Sequence, residues 1–232
     1  MQTIISGIPA ELVRKKIKDL YITVQQDGTV RLSAPLQMSE NEIERFVASR
    51  KNWILRKQEE QTRIHSAFRY QYETGEILYI RGNPYRLEVT YDTTKDIILL
   101  PDRLLLTIPD NSTRAQREAL LYTWYRTQLR EDIAALLPVL EAKTGLHSTS
   151  WQIRNMKTRY GTCNVRSGKI WLNLQLIKAP TRCLEYVILH ELLHLQVPNH
   201  SAAFYALLDQ YMPQWRVIRK ELRNFPPEYS KK

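Results

Sequence analysis

Cysteine is scarce in this chain of 232 residues: Cys163 and Cys183 are the only two. That is too few for a disulfide framework, and neither stands in the Cys-x-x-Cys spacing of a thiol redox pair or a zinc knuckle. A reducing, cytoplasmic compartment is the simplest expectation. Glycine and proline, 7 and 11 residues, are too sparse for collagen or a low-complexity fibre, and 43% apolar with 25% charged residues lies in the globular range. No apolar run approaches the roughly 20 residues that a membrane span needs, so no membrane association is expected. The opening MQTIISGIPAELVRKKIK lacks a charged region followed by an apolar stretch, which argues against a secretory signal. No internal repeat is evident. Acid is also missing locally: residues 142–184 contain no Asp or Glu, yet they hold Lys143, Arg154, Lys157, Arg159, Arg166, Lys169, Lys178 and Arg182. With a formal net charge of +10, the chain is suited to an anionic partner or substrate.

What is present divides into an α+β pattern. Residues 17–35, IKDLYITVQQDGTVRLSAP, alternate in two runs around Asp27-Gly28, which reads as a hairpin. Ser39 followed by Glu42 is a capping-box signal, and Ile43, Phe46, Val47, Trp53 and Ile54 continue one helix to about Arg63. Short strands are expected at residues 77–80, 85–91, 97–100 and 104–108, punctuated by Gly82-Asn83-Pro84 and Pro101-Asp102. From Ser112 to about Lys143 an apolar stripe through Leu120, Leu121, Trp124, Tyr125, Leu129, Ile133, Leu136 and Leu137 predicts a helix stopped by Gly145. Pro138 is expected to kink it or end it early. Strands follow at residues 151–156 and 169–174, then helical periodicity from Pro180 to the end. The expected division lies near residue 110, with a strand-rich part at 1–110 and a mostly helical catalytic part at 111–232.

The chemistry is concentrated in VILHELLHLQVPNHSAAFYALL, residues 187–208. It holds His190-Glu191-Leu192-Leu193-His194, an HExxH pattern, with His200 six residues further on. Helical spacing puts His190 and His194 on one face, where both imidazoles can bind one ion, with Glu191 beside them. Pro198 has no amide donor, so the helix stops and the chain can return His200 to the same ion. Three nitrogen ligands with an open fourth position describe a catalytic Zn²⁺ site. With 5 His in the chain, the full pattern arises by chance in only about 0.02% of chains of this composition, so three unrelated histidines are a poor explanation. Glu191 would take a proton from a zinc-bound water attacking an electrophilic centre and return it to the leaving group. Tyr205, Tyr160 and Arg159 are the candidates for an oxyanion donor or substrate contact, although Tyr205 reads more readily as a core aromatic on the helix after His200. His65 and His147 stand outside any cluster and read as surface residues. Cys163 reads as packing, and Asn173 as a cap or a bridge between strands.

Further motifs surround this segment: Lys157-Thr158-Arg159-Tyr160-Gly161-Thr162-Cys163, Ile170-Trp171-Leu172-Asn173-Leu174, Leu176 to Pro180, and Asn199-His200-Ser201 with Phe204. Together with HELLHL they resemble the YgjP-like family of zinc-dependent hydrolases, also described as DUF45 and related to SprT-like metalloproteases. Residues 31–35 leading to the Ser39 helix are similar to that family's N-terminal region. The resemblance implies a zincin-type core with His190, His194 and His200 on zinc and Glu191 as base. Tyr160 and Tyr205 stand where that family usually has Trp. The metzincin spacing is also shared, but Val197 replaces the glycine expected in that clan.

Three partners follow as expectations. A peptide or protein substrate would pair with Lys169 to Leu174 as the cleft's edge strand. A nucleoside triphosphate would use the acid-free basic stretch for its phosphates, a role to which the family resemblance also points. Nucleic acid is suggested by the basic excess alone, without any recognisable binding motif.

Overall fold

The computed structural model describes residues 2–25, 28–67, 70–156, 158–223 and 225, with backbone alone for residue 2 and residues 60–67. Asp27 of the hairpin signal, Lys157 and the His65 side chain lie outside that description. The chain forms two compact units, Met1–Arg69 and Tyr70–Lys232.

In the first unit, β1 (Gln2–Ile5), β2 (Ile8–Lys15), β3 (Tyr21–Val24) and β4 (Val30–Pro35) form one sheet in the order β1-β2-β4-β3. Alternate residues of β4, Val30, Leu32 and Ala34, point into the core, as a half-buried strand requires. There they meet Ile43 and Val47 of α1 (Glu40–Ser49), spaced one helical turn apart. The Ser39–Glu42 capping box forms in both directions. The single helix expected to run to Arg63 is two, because the backbone leaves helical geometry at Arg50 (φ −108°, ψ 4°) before α2 (Lys51–Ala67).

The second unit opens with β5 (Ile77–Ile80), β6 (Asn83–Tyr91), β7 (Asp96–Leu99) and β8 (Arg103–Ile108), ordered β5-β6-β8-β7. This is the arrangement of the first sheet again. In each, an antiparallel hairpin is followed by a parallel pair and then an antiparallel one. Each first hairpin turns on two residues of positive φ, Ser6-Gly7 and Arg81-Gly82, with Pro two residues after the glycine. Each sheet is followed by a helix opened by a capping box. The chain therefore contains a structural repeat that its residues do not betray: the turn and the cap are shared, while the strands keep only their alternation.

α3 (Arg114–Thr144) follows, capped by Thr113 and stopped by Gly145 in the left-handed region (φ 70°). Leu121, Tyr125, Leu129, Ile133, Leu137 and Leu140 form its buried stripe. Pro138 does not end it. The residue is exposed, and the helix runs on to Thr144, its last turn held by packing of Leu140 in the core. The division expected near residue 110 falls between β8 and α3, whose side chains share one hydrophobic core.

The third sheet combines β9 (Ser150–Arg154), β10 (Gly161–Asn164) and β11 (Lys169–Asn173) in the order β10-β11-β9. Residues 169–173 are thus the central strand, bonded on both sides, rather than the expected edge strand, and the edges are β9 and β10. A 3₁₀ helix, Leu174–Lys178, then leads to α4 (Thr181–Leu193). The β5–β6 turn fixes that lead-in: the amides of Arg81 and Gly82 donate to the carbonyls of Ile177 (2.7 Å) and Lys178 (3.0 Å). α5 (Ala202–Tyr211) and α6 (Trp215–Arg223) complete the unit. Among the described residues no helix is long and apolar enough to cross a membrane.

Candidate active site

α4 is apolar on nearly every side, with Leu184, Val187, Ile188, Leu189, Leu192 and Leu193 buried, so it runs through the core rather than over it. His190 and Glu191 lie in its last turn. His194, at the C-cap, keeps helical dihedrals (φ −63°, ψ −21°), so its imidazole stays in line with that of His190. Beyond it, the amides of Leu195, Gln196 and Val197 bond back to Leu192 and Leu193. Pro198 ends the ladder, and His200 returns just before α5, where Phe204 is fully buried.

The three imidazoles stand at the corners of a near-equilateral triangle, with ring centroids 4.9, 4.9 and 4.8 Å apart. Phe204 sits at 4.9, 4.7 and 4.9 Å from His190, His194 and His200, and so forms a common floor. One ligand atom from each histidine lies within 4.8 Å of the others. His194 Nδ1 is 3.1 Å from the Val197 carbonyl, a bond that protonates that nitrogen and leaves Nε2 for a ligand. Nε2 of His190 and Nε2 of His200 approach to 2.9 Å. Burial, then the neighbouring His194 and His200, then Arg219, push the His190 imidazolium down to about 3, and burial also lowers His194. Neutral His190 and His194 can each offer a ring lone pair to a cation at neutral pH. Two nitrogens of a tetrahedral zinc would lie about 3.3 Å apart, so the donor set fits a metal ion.

Glu191 is buried, and burial raises its carboxyl to about 8 against the opposing pull of Arg159. It lies against the backbone of β10: a Cβ at Gly161 would come within 2.6 Å of its Oε1. The loop before β10 is held by Asn173, whose Nδ2 donates to the carbonyls of Met156 (2.8 Å) and Arg159 (2.7 Å), while its Oδ1 accepts from Gln175 N–H at the 3₁₀ cap. Asn173 is thus the expected cap and bridge. Burial and Glu191 push the Cys163 thiol up to about 11, which keeps it protonated.

A cleft of about 920 Å³ opens over this centre, lined by His190, Glu191, His194 and His200 and by Arg159, Tyr160, Gly161, Tyr205, Arg219 and Arg223. Arg159 is exposed beside Glu191. Tyr160 contributes its ring only, since its hydroxyl is 2.7 Å from the Phe225 carbonyl and 3.0 Å from that of Leu222. Tyr205 both packs and lines the cleft: its ring stacks on Trp215 at 5.4 Å and on His200 at 6.4 Å. His147, with 70% of its side chain exposed, stays apart from the site. Sequence reasoning missed Gly161, Arg219 and Arg223. No local pattern marks the first, which lies in a strand without clear alternation, and the i, i+4 spacing of the two arginines puts them on one helix face without pointing to the site.

Among solved structures, the metallopeptidase zymogen of Pyrococcus abyssi abylysin aligns over 39% of this chain and 90% of that chain, at 21% identity and a TM-score of 0.37. No curated protein matches. Residues 18–225 match the family model described as "YgjP-like, metallopeptidase domain". That match runs from the first sheet through the histidine triangle to the end of α6, and by it the chain belongs to the YgjP-like metallopeptidase family.

Proposed function

We propose that the chain is a zinc peptidase in which His190, His194 and His200 hold the ion and Glu191 carries the proton. The observation behind this reading is the convergence of three imidazole nitrogens within 4.8 Å beside a buried carboxylate that faces an edge strand. Imidazole ligands favour zinc among the common divalent ions. When bound, the ion supplies Lewis acidity and brings the pKa of a ligated water toward about 7. Glu191 would accept a proton from the attacking water and return it to the departing amine nitrogen. Its burial strengthens it as an acceptor, and the exposed Arg159 limits how far its pKa climbs. An extended peptide adds to the open edge of β10, pairing its backbone with residues 161–164. Arg159 and the rings of Tyr160 and Tyr205 border the bound segment. Two free thiols, Cys163 and Cys183, suit a reducing cytoplasmic setting.

Glu191→Gln is expected to keep stoichiometric zinc and lose turnover by about 10²- to 10⁴-fold, the usual contribution of general acid–base catalysis. His190→Ala is expected to lose zinc and turnover together. Metal analysis and peptide cleavage on the same preparations check both, and undiminished turnover in Glu191→Gln would overturn the mechanism.

A further inference from the structure

The arginines of α4, α6 and the loop before β10 differ in their partners. Arg182 is paired with Glu221, and Arg216 with Asp209. Arg219 and Arg223 form no ion pair among the described residues, Arg159 has only Glu191 near it, and these three line the cleft. Arg219 and Arg223 are one helical turn apart on α6, and the Arg219 guanidinium lies 5.9 Å from the ring centroid of buried Trp215, which holds it in place. Glu191 is the one carboxylate among the residues lining the cleft. A neutral peptide backbone would leave these three guanidiniums, set beside a divalent ion, uncompensated. A substrate carboxylate would satisfy them, because a guanidinium fork matches a carboxylate through two parallel hydrogen bonds.

We infer that Arg159, Arg219 and Arg223 form a substrate-anion subsite that selects peptides with an acidic side chain next to the bond to be cut. This rests on the peptidase reading for its choice of a peptide, since the substrate segment alongside β10 is extended and passes the same arginines. Arg182 of α4 and Arg216 of α6, outside the cleft, are each neutralised by an acidic partner, in contrast to Arg219 and Arg223.

The test uses zinc-loaded Glu191→Gln protein and two short labelled peptides that differ only in carrying Glu or Gln at alternate positions. Binding is read by fluorescence anisotropy. The acidic peptide is expected to bind about tenfold tighter at low ionic strength, a preference that salt erodes. Arg219→Gln with Arg223→Gln is expected to abolish the preference, whereas Arg216→Gln retains it. Equal binding of the two peptides overturns the inference. Displacement by a nucleoside triphosphate that depends on the arginines, with no binding of the acidic peptide, also overturns it and reassigns the arginines to phosphate. Cleavage by the unmutated zinc protein tests the parent reading separately. Failure to cut either peptide, beside intact arginine-dependent binding of the acidic one, would remove the peptidase and leave the anion subsite standing.

Discussion

Gly161 brings bare backbone against the carboxylate of Glu191. Any side chain there would overlap Oε1 at 2.6 Å and Cγ at 2.8 Å, and β10 cannot retreat because Gly161 is in register with Leu172 of the central strand. Gly161→Ala is therefore expected to displace Glu191 while sparing the histidines. Zinc content should stay near that of the unmutated protein and kcat fall by about tenfold or more, in line with the cost of misplacing a reacting group. Loss of zinc in step with kcat would show that the overlap is relieved through the metal ligands instead. At this scale, what was legible in the sequence was what is local in the chain. His190, Glu191 and His194 lie within five consecutive residues, and Pro198 signals the return to His200. Gly161, Arg219 and Arg223 reach the site from a strand and a helix far along the chain, so their spacing carries no trace of it. Tyr160 was legible as a cleft aromatic, but the bond of its hydroxyl to the end of α6 depends on tertiary contact.

Among the elements, the hairpin of β5 and β6 has a mechanical part in positioning α4. Its turn donates two amide bonds to the end of the 3₁₀ helix, and Gly82 (φ +85°) stands so close that a Cβ would meet Pro180 Cγ at 2.7 Å. Gly82→Ala meets both a left-handed backbone and that overlap, and a loss of about 2 kcal/mol or more is expected, read as a lower urea midpoint at unchanged slope. A midpoint within error of the unmutated protein would mean that the turn is dispensable. α3 was legible because cap, stripe and stop agreed over many residues. Its Pro138 misled because packing of the residues beyond it outweighs one missing backbone bond. β10 was not legible at all: four residues with no clear alternation, Gly161 to Asn164, are a strand only because β11 lies beside them.

For the whole molecule, the centre sets a pH window of stability in the metal-free state. Glu191 is raised from 4.5 to about 8, so the folded state keeps a proton that the unfolded state releases. Its contribution is full below the unfolded value and is lost as pH rises through about 8. His190 is lowered from 6.5 to about 3, so its contribution is present above the unfolded value and is lost as pH falls through about 3. Metal-free Glu191→Gln is accordingly expected to melt above the unmutated apoprotein near pH 9, the gap narrowing toward about pH 5, by scanning calorimetry. A gap independent of pH would contradict a raised Glu191. The two sheets of like strand order show the opposite limit of legibility, a whole-molecule pattern with only x-Gly-x-Pro and a helix cap to mark it.

Phe204 gives the histidine triangle a floor that is present before any ion arrives. Packing against that buried ring orients the partly buried His190 and His194, while His200 stays exposed at the mouth. Metal uptake is therefore expected to need no folding step, and chelation and reloading are expected to be a reversible exchange on a standing scaffold.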